Sequence, residues 1–206
     1  MNITKIAPQE KQKNRYSIYV DGKYTFSLSE GTLLESKLTN GQELTATDIK
    51  QWKQASADDK LNGLALRYAA MRLRSRWEIE QYLRRKQAAP EIIDKTIAKL
   101  ENIGLIDDAA FARSWADNRR MLKPSSKRKL QQELHAKRVP ESIVAAIFTD
   151  EDAANDEQTA LQHIVAKKRN LSKYQADPMK LMQYLARQGF RYDDIKTALN
   201  TPPEVN

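Results

Sequence analysis

The sequence predicts a mainly α-helical chain: three tandem three-helix units with a period of about 51 residues, behind an N-terminal extension that contains a β-hairpin. Three observations predict it. The stretches SRWEIEQYLRRKQAAPEIIDKTI from Ser75, SKRKLQQELHAKRVPESIVAAIF from Ser126 and DPMKLMQYLARQGFRYDDIKTAL from Asp177 fall in register. Only 6 Gly and 7 Pro among 206 residues, with 30% charged, favour helices over a turn-rich sandwich. One region breaks the helical pattern: RYSIYV and KYTFSL alternate in polarity on either side of Asp21-Gly22.

The extension covers residues 1–56. Asp21-Gly22 suits a type I′ turn, which needs positive φ at both central positions. Tyr16, Ile18 and Val20 then share one face, as do Tyr24, Phe26 and Leu28, and Ile3 and Ile6 supply a candidate third strand. These aromatics could form a platform for stacked bases or the apolar face that a small sheet needs in water; the second is the stronger physical requirement. A helix is expected from about Ser29 to Lys37, and after TNGQ another starts at Thr45-Ala46-Thr47-Asp48 and runs toward Trp52.

The units are read as 57–106, 107–150 and 151–200, with a tail at 201–206. Ser75, Ser126 and Asp177 align as N-caps, Ser75 with Glu78 has the spacing of a capping box, and Pro178 takes a first helical position. Four core positions recur: Ile79, Leu130 and Leu181; Leu83, Leu134 and Leu185; Ile93, Val144 and Ile195; Ile97, Phe148 and Leu199. Within each unit they form two i,i+4 steps, hence two helices, broken at QAAP, RVP and GFRY. A further helix precedes each pair, over Asp58–Arg72, Asp108–Leu122 and Glu151–Arg169; in the second, Phe111, Trp115 and Leu122 share a side. Each unit's apolar face is too small alone, so the pattern predicts an elongated stack.

The net charge of +8 favours a polyanionic partner, and the excess lies between residues 57 and 150. Its cations recur at equivalent places: Arg72, Arg74 and Arg76 with Lys123, Lys127, Arg128 and Lys129, then Arg84, Arg85 and Lys86 with Lys137 and Arg138. Together with Arg119 and Arg120 these are the candidate DNA- and filament-binding residues. A row of equivalent cations on a repeat surface can face an extended anion. The plainer role is helix support, through Glu80 with Arg84 and Glu133 with Lys137 as i,i+4 pairs.

Other chemistries lack their residues. There is no Cys for thiolate metal sites, disulfides or cysteine nucleophiles. The scattered glycines build no phosphate loop. His135 and His163 are expected on helix surfaces, Asp107-Asp108 as a cap, and Trp115 with Phe111 in packing; Trp77 is expected either half-buried or as an exposed contact. No catalytic residue, metal or cofactor is expected. No apolar run reaches spanning length and the start lacks an apolar secretory stretch, so a cytoplasmic protein is expected, with no membrane partner.

ALRYAAMRLRSRWEIEQYLRRK, DDAAFARSWADNRR after LENIGLI, KRKLQQELHAKRV and YLARQGFRYDDIKTAL, in this order from about Gly63 to Leu199, resemble the RecX family, bacterial regulators of the recombinase RecA. The front resembles an extension that some members carry. The family pattern usually places Gly after the basic residue that ends the second helix; Gln87 and Arg138 stand there instead and Gly189 keeps it, which weakens the expectation of left-handed caps in units one and two. The resemblance implies a non-enzymatic monomer in DNA repair, recombination and the SOS response. It would lie in the groove of the RecA nucleoprotein filament, meet RecA with single- or double-stranded DNA, and restrain recombinase and ATPase activity by blocking growth or favouring disassembly. Two other readings remain: a stand-alone helix-turn-helix DNA-binding protein, and a protein-binding helical scaffold.

Overall fold

The structure is a computed structural model; it describes all residues except 11, 13, 149–151 and 201–206, and the side chains of 152–156 are also outside it. The expected boundary after 150 and the C-terminal tail therefore lie outside the described residues. The chain divides into two compact units, Met1–Arg72 with Ile79–Leu105, and Leu73–Glu78 with Ile106–Asn206.

In the first unit, β1 (Ile3–Pro8), β2 (Arg15–Val20) and β3 (Lys23–Ser29) form an antiparallel sheet in that order. Asp21 and Gly22 both have positive φ, 48° and 76°, and pair Val20 with Lys23, the turn expected from the sequence. Ile18, Val20, Phe26 and Leu28 are buried with Ile3, Leu38 and Leu44, and Trp52 stacks on Phe26 at 6.4 Å. The aromatics thus divide: Phe26 is core, whereas Tyr24 is exposed and meets Tyr19 edge-on at 6.1 Å.

Ser29 caps α1 (Glu30–Ser36), and Thr45 with Asp48 forms a reciprocal capping box that starts α2 (Ala46–Ala70). The expected boundary after residue 56 falls inside this continuous helix. Arg15 of β2 pairs with Asp59 at 2.9 Å and donates to the Ser27 carbonyl at 2.8 Å, while Asp59 accepts the Ser29 amide at 2.6 Å. These bonds tie the middle of α2 to the sheet, although the buried Arg15 Nε has no hydrogen-bond partner among the described residues. α3 (Arg76–Arg85) and α4 (Pro90–Asn102) follow, and Tyr82 stacks on Tyr68 at 4.0 Å.

The second unit holds α5 (Asp108–Leu122), α6 (Lys127–Ala136), α7 (Glu141–Ile147), α8 (Asp152–Arg169), the short α9 (Ser172–Gln175), α10 (Pro178–Arg187) and α11 (Tyr192–Asn200). One core gathers Phe111, Leu130, Leu134, Val139, Val144 and Phe148; a second gathers Leu161, Ile164, Val165, Leu181, Leu185, Phe190 and Ile195. Eleven of the twelve repeated apolar positions are buried and Leu199 is partly buried, packed on the second core. Leu122 departs from its expected face: it is 82% exposed, because α5 ends there and the core is filled by Phe111, Ala112 and Trp115.

The left-handed cap is present in all three units: Gln87, Arg138 and Gly189 have φ of 59°, 56° and 91°. Each closes a Schellman turn, in which Ala88, Val139 and Phe190 amides donate to the carbonyls of Leu83, Leu134 and Leu185. The turn's own hydrogen bonds, with the burial of Val139 after Arg138, hold this geometry where the residue is not Gly.

Leu134→Ala should cost about 2–5 kcal/mol, while Gln132→Ala, exposed on the same helix, should stay within about 0.5 kcal/mol; thermal and urea unfolding check both.

Candidate nucleic-acid interface

The candidate cations cluster around helix ends, so their roles depend on what those ends need. A helix start leaves amides unsatisfied. At α3, Ser75 Oγ accepts the Glu78 amide at 3.2 Å and Asp108 of α5 accepts the Arg76 amide at 2.8 Å. Ser75 Oγ also donates to the Lys137 carbonyl at the end of α6, and Lys137 Nζ reaches the Glu78 carboxylate at 2.6 Å.

The start of α6, 51 residues on, is held the same way. Ser126 Oγ accepts the Lys129 amide at 3.2 Å, and the Glu157 carboxyl of α8 faces the Lys127 amide. The Ser126 amide donates to the Gln188 carbonyl at the end of α10, and Lys129 Nζ bonds Gln188 Oε1 at 2.9 Å. Asp177 caps α10 through the Met179 amide. The serine caps are therefore also plugs, each seated on the turn that ends a following helix.

This arrangement explains why Gly is kept only at 189. A Cβ there would overlap Ser126 Oγ and lie 3.1 Å from Lys129 Cβ, in a backbone region that L side chains rarely adopt. Gly189→Ala should lose about 2–4 kcal/mol, adding left-handed strain to overpacking, whereas Arg138→Gly should change stability by less than about 1 kcal/mol; unfolding curves separate them.

The cations thus divide into those that bond structural groups and those that do not. Arg74 is only 8% exposed. Arg119 pairs with Glu133 at 2.8 Å and lies 5.0 Å over Trp115, whose Nε1 donates to the same carboxylate at 2.9 Å; Lys137 lies 5.1 Å from that ring. Glu133 therefore serves Arg119 and Trp115, and Lys137 serves Glu78, in place of the expected i,i+4 pair; Glu80 with Arg84 does form, at 2.7 Å. Lys127 Nζ donates to the Phe148 carbonyl at 2.6 Å, and Lys129 holds Gln188. Arg72, Arg76 and Arg120 are exposed and engaged, Arg120 with Asp117 at 3.8 Å. Lys86 lies 5.7 Å over the half-buried Tyr82 ring.

Arg85, Lys123, Arg128 and Arg138 are exposed and make no ion pair among the described residues. His135 approaches Glu141 at 3.2 Å and His163 is exposed on α8. Asp107 caps α5 through the Ala109 and Ala110 amides, while Asp108 serves α3. Trp77 is half-buried. Among the described residues no helix is long and apolar enough to cross a membrane.

Burial holds the Glu157 carboxyl above the ordinary carboxylate value, with the Lys127 amide acting in the opposite sense. The folded chain thus binds this proton more tightly than the unfolded chain, and stability falls as pH rises from the ordinary glutamate value through the raised one. Melts of the wild type and Glu157→Gln between about pH 4 and 7 should show a stability difference that declines with pH; a flat difference would refute it.

These features define a class: a helical-repeat scaffold with a small N-terminal sheet, whose surface cations are its candidate contacts. Models of the RecX N-terminal domain and of the first, second and third RecX three-helix domains match residues 1–45, 63–100, 107–146 and 155–199. The regulatory protein RecX of Listeria monocytogenes serovar 1/2a is 32% identical over 200 residues, covering 96% of this chain and 74% of its own; that of Bacillus subtilis is 28% identical over 201 residues, covering 96% and 76%. A crystal structure of regulatory protein RecX superposes with a TM-score of 0.79 at 25% identity, covering 97% of this chain and 99% of its own. The chain belongs to the RecX family.

Proposed function

We propose that this protein binds the RecA nucleoprotein filament, touching both RecA and DNA along the filament groove, and inhibits recombinase and ATPase activity without catalysing a reaction itself. Family membership fits a regulator of RecA. One observation carries the DNA contact. The first turn of α6 holds Lys127, Arg128 and Lys129 and no acidic residue. Cations at a helix N-terminus oppose the macrodipole, at about 0.3–1 kcal/mol each. Lys127 and Lys129 recover this through the Phe148 carbonyl and Gln188. Arg128 has no such return among the described residues, and Lys123, five residues before it, is likewise exposed without an ion pair among them. An external phosphate supplies the missing counter-charge.

The test is binding to single-stranded DNA with and without RecA while ATP turnover is followed. Binding that tightens with RecA and slows turnover supports the proposal; site-specific duplex binding alone would replace it with the helix-turn-helix reading. The variant Lys123→Ala/Arg128→Ala/Arg138→Ala should keep wild-type helicity and melting temperature yet weaken inhibition on the order of tenfold. Its log–log salt slope should flatten by about 0.7–0.9 for each phosphate that the variant no longer neutralises. Arg119→Ala, by contrast, should lower the melting temperature, because Glu133 loses its cation.

A further inference from the structure

The first unit holds an open cleft of about 970 Å³ between α2, α4 and the start of α1. None of the candidate cations above lines it. Its rim carries Lys60, Arg67 and Lys99, all exposed and without an ion pair among the described residues. Leu66 and Ile103, large apolar side chains that are 43% and 56% exposed, line the same cleft. The buried Arg15–Asp59 pair also lines it, so the Asp59 carboxylate is matched by its own cation, and the pair fixes α2 to the sheet.

We propose that this cleft docks an acidic, amphipathic segment of a partner polypeptide: its apolar residues cover Leu66 and Ile103, and its carboxylates meet Lys60, Arg67 and Lys99. Among the described residues the lining contains no aromatic ring on which a base could stack. Exposed apolar groups inside a basic rim match a Glu- and Leu-bearing face, since apolar burial supplies affinity and the opposite charges supply orientation and encounter rate. The site is separate from the DNA contact and does not depend on RecA being the target.

The probe is a dye-labelled amphipathic helical peptide of Glu and Leu, with a Lys and Leu counterpart as control, titrated with the full chain by fluorescence anisotropy. Saturable binding of the acidic peptide alone is expected. Lys60→Glu/Lys99→Glu should weaken it at least about tenfold, as should Leu66→Ser/Ile103→Ser. Lys50→Glu, exposed on α2 outside the cleft, and Lys123→Ala/Arg128→Ala/Arg138→Ala should leave it unchanged. Circular dichroism and melting curves confirm that Lys60→Glu/Lys99→Glu, two exposed positions, keeps the fold. Absent binding of the acidic peptide, equal binding of both peptides, or binding indifferent to the cleft variants would overturn the proposal. Loss of single-stranded oligothymidylate binding in Lys60→Glu/Lys99→Glu, with the acidic peptide still bound, would overturn it in favour of a nucleic-acid groove. Because RecA is absent from this experiment, its outcome is independent of the ATPase inhibition test.

Discussion

The repeats depend on how a helix start is satisfied. α3 and α6 each begin with a serine whose hydroxyl closes the first turn, and each offers further amides that nothing within its own helix can accept. In both cases the partners come from the following repeat: a carboxyl group from its first helix, Asp108 at the Arg76 amide or Glu157 facing the Lys127 amide, and the carbonyl that ends its second helix, where Lys137 accepts the Ser75 hydroxyl and Gln188 the Ser126 amide. A single serine-capped start is ordinary. Two, 51 residues apart, seated on equivalent turns, make each start incomplete without its neighbour, and so couple local helix formation to stacking.

That constraint decides the chemistry of the turns. The left-handed residue has to leave room for the plug, and the two seats differ. At the first, the Ser75 hydroxyl reaches the Lys137 carbonyl and Arg138 fits beside it; at the second, the Ser126 amide itself reaches the Gln188 carbonyl, and only Gly189 allows that approach. The two seats also use different side chains for the same link, an ion pair between Glu78 and Lys137 and a neutral acceptor for Lys129 on Gln188. The geometry is repeated while its electrostatics are not.

Much of this was legible because it is local or periodic. N-caps, the Asp21-Gly22 turn and the four apolar positions follow from spacing alone, and Ile79, Leu134 and Ile195 are buried where the period puts them. The long-range choices were not. The sequence shows Arg15 and Asp59 as two ordinary charges 44 residues apart, and nothing in it foretells that they pair and tie α2 to the sheet. Glu133 had an i,i+4 partner available in Lys137 and took Arg119 instead, because Trp115 brings its indole N–H to the same carboxylate. Leu122 kept the helical period past the point where core remained to receive it. The fourteen candidate cations looked alike as charges along a chain; only burial and partners separate Arg74 or Lys129 from Arg128.

Position along a helix carries that separation further. Arg84 and Arg85 lie in the last turn of α3, and Arg119 and Arg120 in the last turn of α5, where the carbonyl end of the dipole favours positive charge. Their charge therefore has a structural use even in an isolated chain. Arg128 lies in the first turn of α6, at the end where positive charge is disfavoured. The equivalent first turn of α3 carries Glu78, the sign that the dipole prefers. Two helices with the same cap, the same core positions and the same seat thus differ in the charge they carry at their start: α3 balances Arg76 with Glu78, whereas α6 carries Lys127, Arg128 and Lys129 and no acid. Lys127 and Lys129 offset that cost through the Phe148 carbonyl and Gln188, whereas Arg128 makes no ion pair among the described residues, so of the three cations at the start of α6 it is the one whose charge has no structural use among them.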